Sequence, residues 1–267
     1  MTRRALLLAA AAGALGACGS SERAPSAPPP ITSPEAPAAP ATASPIPAHT
    51  RQLVTAIVPD WDAPTAELRL WLRDGDRWRA AGPAWPAVIG RGGAAWGIGL
   101  HGDGAPANRT GPVKREGDGK SPAGVFALAG TYGYAARPPD GAGLPYTPVD
   151  ATWKCVDDPA SRHYNQIVNA RTTAPDWASA EDMRRPDALY AWVVEVAHNA
   201  TRAPGHGSCI FLHVWGGPDD TTSGCTAMDE PRLAALLAQL SPAASPAFVL
   251  LPRAEYDALA PAWNLPR

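Results

Sequence analysis

Ser208-Cys-Ile-Phe-Leu-His213-Val-Trp-Gly-Gly-Pro-Asp-Asp-Thr-Thr-Ser-Gly-Cys225-Thr226 joins three local patterns. Cys209 to Trp215 is an apolar, β-type run. Gly216-Gly-Pro-Asp-Asp220 is a turn. Ser223-Gly-Cys-Thr226 is an elbow of small residues. Alternation along a strand puts Cys209, Phe211, His213 and Trp215 on one face and Ile210, Leu212 and Val214 on the other. A histidine therefore stands between aromatic neighbours, in a wall that favours the neutral imidazole. Asp229-Glu230-Pro231 and a helical pattern follow, so the sequence expects Cys225 close before a helix start. A thiol near a helix N-terminus and a histidine has two environments that lower its pKa.

Working outward, most of the chain reads as short strands and turns. Leu53 to Val58 is a strand stopped by Pro59-Asp60. Glu67 to Leu72 alternates, Asp74-Gly75 turns, and Arg77-Trp78-Arg79 returns as a hairpin. Ala87 to Gly90 is another short strand, and Trp96 to Gly102 runs from a sheet edge into a loop. Gly117-Asp-Gly-Lys-Ser-Pro-Ala-Gly-Val-Phe126 holds turn signals before a short apolar strand. Lys114 and Lys120 flank it, but without Walker spacing or a following helix they make no case for phosphate. Residues 130–150 read as a Gly/Pro-rich loop. Ser179, with Asp182 three residues on, predicts a short helix through Met183 to near Tyr190. Ala191 to Ala197 is a buried strand, Leu233 to Leu240 an amphipathic helix, and Phe248 to Leu251 a last strand. The expected fold is mainly β, sandwich-like, with a few helices.

The first 50 residues read differently. Met1 to Ala17 has Arg3-Arg4, an apolar run from Ala5 and then small residues, the pattern of an export signal. Leu15-Gly-Ala-Cys18 resembles the lipobox of bacterial lipoproteins, which implies cleavage before Cys18 and lipid on its sulfur. Residues 18–50 are dominated by Pro, Ala and Ser and cannot bury a core. At about 3.1 Å per residue they span on the order of 100 Å when extended, a tether. The organisation expected is thus a signal peptide over 1–17, a lipidated linker over 18–50 and a domain over 51–267. The implied place is the cell envelope, on the periplasmic face of a bacterial membrane, with the outer membrane compatible.

The formal net charge is −2, and no basic run stands out, so no nucleic-acid partner is expected. The chain has four cysteines. With Cys18 assigned to lipid, three remain in a compartment that permits disulfides. An odd number leaves one free thiol or an intermolecular bond. The simplest allocation pairs Cys155 with Cys209 and leaves Cys225 free.

A thiol beside an imidazole attacks carbonyl carbon, with Cys225 as nucleophile, His213 as general base and the N–H groups of Gly224 and Cys225 as oxyanion donors. The plain alternative is a small buried hydrophobe and a satisfied strand histidine. His101, His163, His198 and His206 are rival bases, each read as structural or exposed. Zinc on His198, His206 and His213 fits no standard spacing, so no metal or cofactor is expected.

The His213-to-Cys225 order, together with the Gly117–Phe126 segment, resembles the L,D-transpeptidase (YkuD-like) domain of bacterial cell-wall enzymes. The match spans roughly Leu53 to Leu251. The cysteine-first order of NlpC-type peptidases does not fit, and a sortase-like later arginine is lacking. The resemblance implies a YkuD-type β-sandwich and acyl transfer on peptidoglycan stem peptides through a Cys225 thioester; a monomer is expected. It departs from the family in three ways. Ser223 stands where the family has a histidine lining the site. Thr226-Ala227 replaces its usual Ile-Arg. The gap from His213 to Cys225 is shorter. Trp215 and Thr226, flanking the pair, are the expected substrate contacts. A non-catalytic wall-binding lipoprotein and a pure hydrolase or amidase on the same fold remain the alternatives.

Overall fold

The computed structural model describes residues 44–267. The leader, Cys18 and the linker up to residue 43 lie outside the described residues. The end of the expected tether belongs to the domain instead. Ile46 and Thr50 are buried, and Ser44 Oγ donates to the Trp263 carbonyl at 2.6 Å. Residues 44–50 thus pack with the domain, because Ile46 finds an apolar site that its Pro-rich surroundings did not announce.

β-branched and alternating runs build the first strands: β1 (Gln52–Val58), β2 (Thr65–Asp74), β3 (Arg77–Ala80) and β4 (Trp85–Val88). Gly75, at φ +59°, makes the β2–β3 turn that a side chain would strain. Three short strands follow, β5 (Ala94–Trp96), β6 (Ile98–Gly99) and β7 (Gly102–Asp103). The long strand β8 (Ser121–Gly133) starts before and ends after the short strand expected there. It pairs with β9 (Tyr146–Pro148), so both ends of the expected loop over 130–150 are strand.

Next come β10 (Trp153–Val156), β11 (Ile167–Asn169) and β12 (Ala180–Asp182), which form a separate three-stranded sheet in the order β11-β10-β12. The helix expected from Ser179 is absent. Ala180 to Asp182 take ladder bonds from β10, and Pro186 bars a helix from continuing to Tyr190. The chain then returns to the main sheet as β13 (Trp192–Val196), β14 (Phe211–Val214) and β15 (Thr226–Met228).

Helix α1 (Glu230–Gln239) starts where Asp229 caps it, accepting from Arg232 N at 2.9 Å, and buries Leu233, Leu236 and Leu237. The Gln52 side chain stitches its other end to β1. Its amide donates to the Gln239 carbonyl at 2.6 Å and accepts from Ser241 N at 2.9 Å. The central strand β16 (Ala247–Pro252) leads into α2 (Arg253–Trp263), a helix the sequence reading did not assign. Its apolar face, Tyr256, Leu259 and Trp263, is buried.

The main sheet runs β1-β16-β8-β13-β14-β15-β4-β2-β3, and β1 also pairs with β2. Where a sandwich was expected, the pairings follow one closed path. Closure leaves few free strand edges. The main core, including Leu53, Leu68, Phe126, Leu212, Phe248 and Leu250, packs on both faces of β1 and β16. A second cluster, outside this core, gathers Cys155, Met183, Tyr190, Phe211, Cys209 and Cys225. Strand β14 divides the two. Ile210, Leu212 and Val214 face the main core, while Cys209 and Phe211 face the second cluster, as strand alternation requires.

Candidate active site

The elbow before β15 is held from behind by the Gly117–Phe126 segment. Ser121 is fully buried; its hydroxyl accepts from Gly90 N at 2.9 Å and lies 2.7 Å from the Gly224 carbonyl and 3.2 Å from that of Cys225. Thr222 Oγ1 donates to the Cys225 carbonyl at 2.6 Å. A Cβ on Gly224 would meet the Lys120 carbonyl at 3.1 Å, so the elbow needs a residue without one or a shift of its neighbour. Lys114 and Lys120 are both engaged. Lys114 donates to Asp118 and the Arg115 carbonyl, and Lys120 to Asp62 and the Gly92 carbonyl. The segment sequence-read as turn signals is thus the support of the cysteine.

Strand β15 lies parallel to β14, with His213 opposite Ala227. Cys225, one residue before β15, and His213 both line a cavity of about 670 Å³. Trp215 lines it too, and so do Ser223 and Gly224. Thr226 does not; it is buried within β15, opposite Leu212.

The thiol is not where a helix N-terminus reaches it. Strand β15 intervenes, and α1 is capped by Asp229. Burial pushes the Cys225 pKa up, and the nearby Glu181 adds to the rise. The Phe211 amide, donating to Sγ at 3.4 Å, opposes it, as do the Tyr190 hydroxyl and Lys114. The Sγ–H in turn points to the Cys209 carbonyl at 3.5 Å.

His213 is also held neutral. Burial lowers its pKa to about 4, against the opposing pull of the Val214 and Leu189 carbonyls. The Val214 carbonyl lies 2.7 Å from Nδ1, and a carbonyl only accepts, so the proton sits on Nδ1 and Nε2 keeps its lone pair. Among the described residues no hydrogen bond joins His213 to Cys225. The resting pair is a neutral thiol and a neutral imidazole across one cavity.

Two of the proposed helpers are differently employed. The Gly224 N–H donates to Thr222 Oγ1 at 3.1 Å, so it is not free for an oxyanion. Ser223 is exposed and its hydroxyl accepts from Arg91 Nη1 at 2.9 Å. The rival histidines are occupied or remote. His198 accepts from Ile98 N at 3.3 Å and donates from Nε2 to the His206 carbonyl at 3.0 Å, with its pKa lowered by burial to about 4. His101 accepts from Val125 N at 3.1 Å, and His163 packs edge-on against Trp177. Among the described residues no group of three or more His, Cys, Asp or Glu side chains is placed to hold a metal ion.

The remaining wall comes from the three-stranded sheet and the turn after it. Cys155 of β10 is disulfide-bonded to Cys209, closing a loop of 54 residues, and among the described residues Cys225 is the free cysteine. Directly opposite Cys155 in the ladder stands Glu181. Glu181, Asp157, Arg185, Leu189 and Tyr190 all line the cavity. The sequence reading missed them. Tyr190 and Glu181 carried no motif, and only the disulfide hinted that their sheet lies beside β14. Comparison with protein-family models, with curated proteins and with solved structures returns no match for this chain.

Proposed function

We propose that the domain is a cysteine acyltransferase of L,D-transpeptidase type, acting on peptidoglycan stem peptides from a lipid anchor at Cys18 in the bacterial envelope. The observation that carries the reading is the placement of Cys225 and an Nε2-unprotonated His213 in one cavity. The YkuD-like order of the two motifs supports the substrate class.

The step follows from the protonation states. Cys225 Sγ attacks the amide carbonyl as its proton passes to His213 Nε2. The carbonyl oxygen becomes an oxyanion beside the Cys225 N–H, with Gly224 already committed to Thr222. Collapse of the tetrahedral intermediate expels the amine, which takes the proton back from His213, and leaves a thioester. An amine or water then resolves it, giving cross-linking or trimming.

Incubating the purified domain with muropeptides and reading products by mass spectrometry tests the reading. Wild-type protein yields transferred or trimmed products, and Cys225→Ala and His213→Ala yield none. Products unchanged in Cys225→Ala contradict it. One observation favours a second reading, a wall-binding protein without catalysis: the thiol is buried, raised in pKa and not hydrogen-bonded to His213. On that reading wild-type protein binds muropeptides and forms no product.

A further inference from the structure

Ser223 leaves one side of the thiol without the histidine that the resembling family places there, and it does not fill the gap itself, being exposed and turned to Arg91. A different side chain shares the cavity of the sulfur. Tyr190 is buried, lines that cavity with Cys225 and packs in the same apolar cluster. The same hydroxyl donates to Glu181 Oε2 at 2.7 Å. Its ring is fixed by edge-on contacts with Phe211 and His213, centroids 5.7 and 5.1 Å away. Arg185, paired with Asp187 at 2.8 Å, covers the ring at 5.2 Å.

We propose that Tyr190, oriented by Glu181, is a further catalytic residue of this site, donating its hydroxyl hydrogen bond to the Cys225 sulfur as the thiolate forms. The role rests on the reading of Cys225 as nucleophile. A phenol has one proton to donate, and at rest it is spent on Glu181. When Glu181 takes up a proton from solvent, that proton bonds to Tyr190 Oη, and the phenol proton turns to Sγ. The phenol keeps its own proton and Glu181 keeps the one it gained. The Tyr190–Glu181 hydrogen bond reverses direction, a new one forms from Tyr190 to Sγ in place of the thiol's bond to the Cys209 carbonyl, and the thiol proton goes to His213.

The surroundings of Glu181 favour this exchange. Burial raises its pKa, and Asp157 and Glu116 push the same way, while Tyr190 and Arg185 oppose. Glu181 is a positioning residue, acting through Tyr190. It is itself placed by the ladder opposite Cys155 and by the disulfide to Cys209, whose carbonyl accepts the resting thiol's hydrogen bond. The arrangement gives the three-stranded sheet a task in the chemistry.

The test is the rate of Cys225 alkylation by iodoacetamide against pH, followed by peptide mass spectrometry in the full-length protein. Tyr190→Phe is expected to slow alkylation at pH 7 about tenfold and to move the pH midpoint up by about one unit, the equivalent of one stabilising hydrogen bond to the thiolate. Glu181→Gln keeps a donor for Tyr190 Oη, so it is expected to alkylate at the wild-type rate or faster at pH 7. Tyr190→Phe reacting at the wild-type rate with the same midpoint overturns the proposal. If Tyr190→Phe does not fold, Glu181→Gln decides, and a tenfold loss there overturns it. Muropeptide turnover, read in parallel, separates the two ideas. A normal thiol response without turnover removes the substrate reading and leaves the role of Tyr190 intact.

Discussion

The Phe211 amide donates to the sulfur of Cys225 at 3.4 Å, which ties the thiol to the strand that carries His213 two residues on. The two side chains are thus held by one strand, and what supports the elbow supports both.

Ser121 is the first such support. Its hydroxyl joins Gly90 N to the elbow carbonyls, and all of it is buried. Ser121→Ala removes this partner from Gly90 N and the Gly224 carbonyl, while the Cys225 carbonyl keeps Thr222, a cost of about 1–3 kcal/mol. Urea unfolding is expected to show that loss with an unchanged m-value. Muropeptide turnover is expected to fall more than in any exposed-site control.

Ser223 makes the opposite case. It is exposed and bonds a flexible arginine. Ser223→Ala is expected to change stability by less than about 0.5 kcal/mol and turnover by less than about tenfold. A larger loss of turnover would place its hydroxyl in the chemistry.

The Cys155–Cys209 bridge closes a loop of 54 residues, and the chain-entropy relation gives it about 4 kcal/mol. Its larger effect is local, since it fastens the sheet bearing Glu181 against β14. Reduction is expected to lower the melting temperature and to expose Cys225, read as faster alkylation at high pH together with lost turnover. Turnover that survives reduction would detach the sheet from the site.

Acid is expected to destabilise the domain through its two buried histidines. His198 and His213 have folded pKa values lowered to about 4, against 6.5 when unfolded. The unfolded chain thus binds more protons between these values. The contribution is present in full above pH 6.5 and is lost as pH falls towards 4, by at most about 3 kcal/mol for each histidine. His198→Gln is expected to flatten the stability–pH curve by that amount between pH 7 and 4. An unchanged slope would mean that His198 titrates alike in the folded and unfolded chain.

The sequence carried the parts of the fold that depend on local pattern. Alternation in Glu67–Leu72 and the Asp74-Gly75 turn marked β2 and β3, the apolar run marked β14 with its two faces, and Asp229 marked the start of α1. It failed where long-range pairing decides. Ser179 looked like a helix cap until β10 supplied a ladder for Ala180–Asp182. It also misjudged the thiol, because nearness to a helix in sequence is not nearness in space, and three residues of β15 intervene. Of the site, His213 and Cys225 were legible from type and order. Tyr190 and Glu181 were not, because only the fold brings the three-stranded sheet to the sulfur.

The most direct measurement is the mass of the intact protein after brief exposure to a disaccharide-tetrapeptide muropeptide. The account predicts an added mass equal to the stem acyl group, carried on Cys225, released by hydroxylamine and absent in Cys225→Ala. A wild-type protein that turns over or binds the muropeptide yet never carries that mass on Cys225 would contradict it.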